Sequence, residues 1–190
     1  MARRLTPAEL KTLLDRAASA PRALGLDDLA ALLAIPSDDA EALRSLYASA
    51  CTVKHRHCGR TVAMRGLVEA GNICSKDCLY CGIRRSNPNV ARYQLDAAEI
   101  ERLARLAADQ GYASLVIQSG EIESEPHTAF IEDLLRRIAP LDLGVTLSLG
   151  EQTEETYRRW RAAGATRYLL RIETSSPALY AKLHQIGRAH

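Results

Sequence analysis

A chain of 190 residues, 47% hydrophobic and 25% charged, has the composition of an ordinary globular protein, which excludes a disordered or fibrous one. Its 25 basic and 23 acidic residues are scattered and leave a net charge of +2, so no basic block argues for nucleic acid. With no run of about 18 apolar residues and a charged amphipathic start in place of an apolar signal core, the sequence predicts a cytoplasmic protein that does not enter a membrane.

Residues 1–60 are expected to form a helical extension. Pro7-Ala8-Glu9-Leu10 opens a helix with Leu10, Leu13 and Leu14 on one face, and Leu26-Asp27-Asp28-Leu29 opens a second with Leu29, Leu32 and Leu33. Ser37-Asp38-Asp39 caps a third that carries Leu43, Leu46 and Tyr47. A polar connection to the first strand then holds Cys51, His55, His57 and Cys58.

From residue 61 the pattern changes. Apolar β-type runs at 62–68, 113–118, 144–149 and 167–172 alternate with helical segments carrying Ile100/Leu103/Leu106, Phe130/Leu134/Ile138 and Tyr157/Trp160, and a last helix begins near Pro177. Successive βα units imply an α/β fold with a parallel sheet and helices outside it. An eight-unit TIM-type (βα)8 barrel needs about 250 residues. Residues 61–184 are therefore expected to be the first half of such a barrel, truncated before its later units. The tail 185–190, Gln185-Ile186-Gly187-Arg188-Ala189-His190, reads like a translated sequencing-adapter string and is expected to be non-native.

Three of the five cysteines, Cys74, Cys78 and Cys81, have the spacing C-x3-C-x2-C. They directly follow the first β run, at what becomes the C-terminal mouth of a parallel barrel, where such folds keep their chemistry. Three cysteines suit an iron-sulfur cluster that wants four ligands, which leaves one iron open to a substrate. Zinc with Cys58 or His57 as fourth ligand is the alternative, although structural zinc sites usually pair two ligand couples rather than use a triplet. The stretch from Cys51 to Cys58 offers ligand types for a second, separate metal.

The flanks narrow the reading. Met64-Arg65-Gly66-Leu67-Val68-Glu69, the run from Cys78 through Cys81 to Asn87, Arg92-Tyr93, Gln118-Ser119-Gly120-Glu121, Thr146 through Glu151, and Arg167 through Thr174 resemble in order the radical S-adenosylmethionine (SAM) enzymes. Within these they are most similar to the HydE family of FeFe-hydrogenase maturases and its relatives, methylornithine synthase and, more distantly, biotin synthase. Ala70-Gly71 departs from the usual Phe-Ser. The resemblance implies a 4Fe-4S cluster on Cys74, Cys78 and Cys81, with the SAM amine and carboxylate on the open iron. It also implies reductive cleavage of SAM to a 5'-deoxyadenosyl radical. Tyr80 is implied at the SAM adenine, Glu121 at its amino group, and Ser148 and Glu173 as further SAM positions. Gln118, Thr146 and Arg171 are implied near the substrate.

Physical chemistry permits these roles without requiring them. A carboxylate such as Glu121 accepts charge-assisted bonds from an ammonium. Strand parity puts Thr146 with Ser148, and Arg171 with Glu173, on shared faces. Equally, Tyr80 could be a loop aromatic over the core, and Arg171 and Glu173 a salt-bridged pair at a sheet end. The implied partners are a small sulfur-containing or iron-bound substrate, an external electron donor and the other hydrogenase maturases. A mutase of the methylornithine synthase type and a zinc-stabilised binding module are the alternatives.

Overall fold

The computed structural model describes residues 5–20 and 24–184, so the tail 185–190 lies outside the described residues. The chain forms two compact units, Met1–Val62 and Ala63–His190.

The first unit holds three helices, α1 (Pro7–Ser19), α2 (Leu26–Leu33) and α3 (Ala40–Cys58). Helix α1 starts in a reciprocal cap: the Thr6 hydroxyl accepts from Glu9 N at 3.3 Å and the Glu9 carboxylate accepts from Thr6 N at 2.8 Å. It buries Leu10, Leu13 and Leu14, the face expected from their spacing. Asp39 caps α3 by accepting from Ala42 N at 3.1 Å. Contrary to the expectation of a polar connection, α3 runs through Cys51, His55 and His57 to Cys58. Basic side chains His55, Arg56 and His57 in its last turn face the negative end of the helix dipole, and Gly59, at φ 67°, ends it.

The second unit is a four-stranded parallel sheet in the order β1-β2-β3-β4. Its strands are β1 (Arg65–Glu69), β2 (Ser114–Gln118), β3 (Gly144–Ser148) and β4 (Ala165–Tyr168). Helices α4 (Ala97–Asp109), α5 (Glu125–Ile138) and α6 (Glu154–Ala163) connect them, and α7 (Pro177–Leu183) follows β4. Val68, Leu115, Ile117, Val145 and Leu147 point from the sheet into one core with Ile100, Ile131, Leu134, Ile138 and Trp160. The alternate residues Leu67, Val116, Thr146 and Arg167 therefore belong to the opposite face. Trp160 is fully packed because its ring nitrogen donates to Thr128 O at 3.0 Å.

Two sequence expectations shift. Helix α4 turns Ile100, Ala104 and Ala107 to the core and leaves Leu106 48% exposed, because the two alanines give the close-packing face. Strand β4 starts two residues before position 167 and ends at Tyr168, with a register irregularity at Val145/Thr146. Gly164, at φ 124°, ends α6 and turns the chain directly into the strand. Arg171 and Glu173 consequently lie past the strand, and both are exposed.

Candidate functional site

All four strands run in the same sense, so the segments after them meet at one end of the sheet. The segment after β1 carries the cysteines, and it is fastened at its base. Ala70 N donates to Gln118 O at 2.7 Å, and Leu95 N donates to Ala70 O at 2.8 Å. Inside the loop the Arg92 guanidinium donates to the carbonyls of Asn72 at 2.7 Å, Ile83 at 2.8 Å, Arg84 at 2.7 Å and Asn87 at 3.4 Å. This clasp gathers four carbonyls around one fixed fork of donors. No local pattern marks Arg92 for that role, because its acceptors are all backbone.

Cys74 is placed by close backbone approach. Its Sγ accepts from Lys76 N at 3.5 Å and from Glu121 N at 3.4 Å, while Ser75 N donates to Glu121 O at 2.8 Å. Cys78 is buried, and burial pushes its thiol pKa up; Cys81 N donates to Cys78 O at 2.9 Å. The Glu121 carboxylate accepts from Glu151 N at 3.0 Å through Oε2, and Oε1 lies 2.9 Å from the Lys76 ammonium. That ion pair is buried, with both side chains largely out of solvent, and it holds the Glu121 carboxylate at the cleft. Gly150 leaves the room for this carboxylate, since a Cβ there would overlap Oε2 of Glu121 and φ at 150 is 78°.

The result is a cleft of about 200 Å3 lined by the three cysteines together with Tyr80, Gln118, Glu121, Ser148, Arg171 and Glu173. Every residue expected at the site reaches it except Thr146. That threonine lies one strand repeat below Ser148, paired with Val116 and Arg167, buried and, among the described residues, with no hydrogen-bond partner for its hydroxyl. The alternative reading of Arg171 and Glu173 as a salt-bridged pair finds no such bridge among the described residues. Arg171 instead donates to Gln118 Oε1 at 2.7 Å, and the same amide donates to Glu69 Oε1 at 3.0 Å, which makes a polar chain across the sheet end. Glu69, Lys76 and Glu151 thus join the site, although sequence spacing alone did not single them out. Tyr80 faces the cleft, its hydroxyl pKa pushed up by burial and by the nearby Cys78.

The donor set fits an iron-sulfur cluster. Two backbone N–H groups already point at Cys74 Sγ, as a ligand thiolate requires, and the thiols border a cleft with room beside them. Among the described residues no group of three or more His, Cys, Asp or Glu is drawn together for a single metal ion. A tetrahedral zinc needs such convergence, whereas in a cluster each thiolate takes a different iron. Among the described residues the second-metal reading gathers only a pair on α3, Cys51 Sγ and His55 Nε2 at 3.6 Å, with Cys51 exposed.

Comparison with known proteins agrees with this geometry. The radical SAM superfamily profile matches residues 68–190, and the chain belongs to that superfamily, whose members use a 4Fe-4S cluster and SAM. It is 43% identical over 141 residues to the [FeFe] hydrogenase maturase subunit HydE of Thermotoga maritima, an alignment that covers 73% of this chain and 40% of that protein. Among solved structures it superposes on methylornithine synthase (PylB) with TM-score 0.80 and 25% identity, covering 93% of this chain and 52% of that one. It also superposes on the maturase HydG with TM-score 0.80 and 22% identity, covering 96% and 41%, a likeness of fold. The chain thus spans less than half the length of the curated HydE it matches. Among the described residues no helix is long and apolar enough to cross a membrane.

Proposed function

We propose that this chain is the cluster-bearing half of a cytoplasmic HydE-type maturase that acts in assembly of the diiron subcluster of FeFe-hydrogenase. The observation that carries the reading is the meeting of Cys74, Cys78 and Cys81 with Glu121 at the C-terminal end of one parallel sheet. Residues 1–60 are the helical extension and 61–184 the first half of a (βα)8 barrel. When bound, a reduced cluster on the three cysteines supplies the electron that breaks the sulfonium C–S bond of SAM.

The chain's own residues bind and orient. Glu121, whose carboxylate lines the cleft beside Lys76, offers its remaining lone pairs to an ammonium, and Ser148 and Glu173 offer further polar contacts to the same cofactor. Tyr80 supplies an aromatic wall for the adenine. Gln118 and Arg171, held together at 2.7 Å, face a small sulfur-containing or iron-bound substrate, with Thr146 buried beneath them. An external electron donor and the other hydrogenase maturases complete the set of partners.

A host lacking its own HydE, supplied with the partner maturases and the full-length gene that carries this segment, should regain active FeFe-hydrogenase. Inactive hydrogenase together with intact SAM cleavage by the purified protein would remove the maturase reading and keep the superfamily chemistry. The fold likeness to methylornithine synthase makes an amino-acid mutase the next reading to test.

A further inference from the structure

Tyr168 and Glu121 grip opposite ends of one peptide unit. The Tyr168 hydroxyl, at the end of β4, donates to Gly150 O at 2.7 Å, and the N–H of the same unit, on Glu151, donates to Glu121 Oε2 at 3.0 Å. The tyrosine is itself held on two sides: its ring meets Tyr157 edge-on with centroids 4.8 Å apart and stacks on the buried Trp160 at 6.2 Å. The rest of the turn after β3 is fixed by other bonds. Gln152 N donates to the Tyr157 hydroxyl at 3.0 Å, and the Gln152 side-chain amide donates to Leu149 O and Ile122 O, each at 3.2 Å. Gly150, at φ 78°, has no side chain to resist rotation of the unit it shares with Glu151, which leaves the Tyr168 bond at the carbonyl end to set that rotation.

Resting on the reading of Glu121 as the acceptor of the SAM ammonium, we propose that Tyr168 is a positioning residue: it locks the Gly150–Glu151 peptide plane, which aims the Glu151 N–H at Glu121 and so orients the carboxylate for that ammonium. A peptide unit is planar and rigid, so a bond at its carbonyl end fixes the direction of its N–H. Accepting a hydrogen bond at oxygen also polarises the unit and strengthens the bond that its N–H donates to the carboxylate. With Oε2 held there and Oε1 beside the Lys76 ammonium, the carboxylate is pinned at both oxygens, and this decides where its remaining lone pairs face. Without the hydroxyl the unit turns on Gly150, the N–H leaves Oε2, and the buried carboxylate follows Lys76 alone. Tyr168 is not among the residues that line the cleft, so it acts on the ligand only through Glu121.

The test is equilibrium binding of two probes to the anaerobically reconstituted, unreduced full-length protein, with iron content measured alongside. SAM carries the ammonium, and 5'-methylthioadenosine keeps the nucleoside and the sulfur but lacks the amino acid part. Tyr168→Phe keeps the ring against Tyr157 and Trp160 and removes the hydroxyl. It should weaken SAM by about three- to tenfold, the worth of about one hydrogen bond, and leave methylthioadenosine affinity and iron content unchanged. Glu121→Gln should weaken SAM at least as much, and the double variant should be no weaker than Glu121→Gln alone, because the tyrosine acts through that carboxylate. Unchanged SAM affinity in Tyr168→Phe overturns the inference, as does an equal loss for both probes or a loss of iron, either of which would make the tyrosine a general support of the fold. Unchanged SAM affinity in Glu121→Gln removes the reading of Glu121 and this inference with it, a result distinct from a silent Tyr168→Phe beside a weakened Glu121→Gln.

Discussion

Gly120 packs against the backbone of the cysteine loop so closely that a Cβ there would stand 2.8 Å from the Cys74 Cβ and overlap the Ile73 carbonyl. Ile73 O is main chain and cannot swing aside, so Gly120→Ala must move the segment that presents the first cysteine. The expected cost is about 1–3 kcal/mol of stability, the usual range for overpacking, with a matching loss of bound iron. Gly82, next to Cys81, has nothing within 4 Å of its added Cβ and is the control. Equal iron contents in Gly120→Ala and Gly82→Ala would show that the close approach does not hold Cys74.

On the proposed reading, in which each would supply one of three protein ligands, replacing Cys74, Cys78 or Cys81 with Ala in the full-length protein should abolish cluster reconstitution and SAM cleavage. Cys51 and Cys58 lie exposed on α3, and their replacement should leave iron unchanged. Colourless protein with stoichiometric zinc would favour the zinc-stabilised module instead. Loss of iron on changing Cys51 or Cys58 would reopen the second-metal reading.

The sheet was legible because its strands are short apolar runs separated by helical periodicity, and the cluster motif because its spacing is compact. What escaped the sequence depends on contacts between distant positions. The strand start at Ala165-Thr166-Arg167 looks polar, while Leu170 and Ile172, which look like strand, stand 58% and 84% exposed beyond the last ladder bond. The Arg171–Gln118–Glu69 chain joins three separate segments after or within β4, β2 and β1, which no local pattern encodes. Ala104 and Ala107 took the core side of α4 from Leu106 because small residues let the helix approach the sheet.

Arg171 is held by Gln118 rather than by Glu173, and it is exposed, so little of the fold depends on it. Arg171→Ala should change unfolding free energy by no more than about 0.5 kcal/mol and leave iron content as it was. It should nevertheless remove hydrogenase maturation in the complementation host. Stability and iron falling together would instead assign the residue a structural role.

The 190-residue chain alone should self-associate. Leu67 on β1 is 59% exposed on the sheet face away from the helices, and beyond β4 Leu170 and Ile172 are uncovered. Strand edges β1 and β4 have no neighbour among the described residues. Unpaired edges and uncovered apolar groups promote association. A monomer in sedimentation experiments with a sharp thermal transition would overturn this.

His127 makes the stability of the sheet unit depend on pH. It sits in the first turn of α5, buried, with no hydrogen-bond partner for Nε2 among the described residues, and burial pushes its pKa below the ordinary imidazole value. The positive end of the helix dipole disfavours the charged form in the same direction. The folded pKa therefore lies below the unfolded value of about 6.5, so near that pH the unfolded chain binds more protons than the folded one. Stability must rise with pH there: it is fully present above about 6.5 and is lost as pH falls through that value toward the folded pKa. His127→Phe keeps a ring beside Phe130 and removes the titrating group. Urea midpoints of the full-length protein measured between about pH 5 and 8 should fall on acidification in the wild type and be flatter in His127→Phe. Parallel curves for the two proteins would place the acid sensitivity elsewhere.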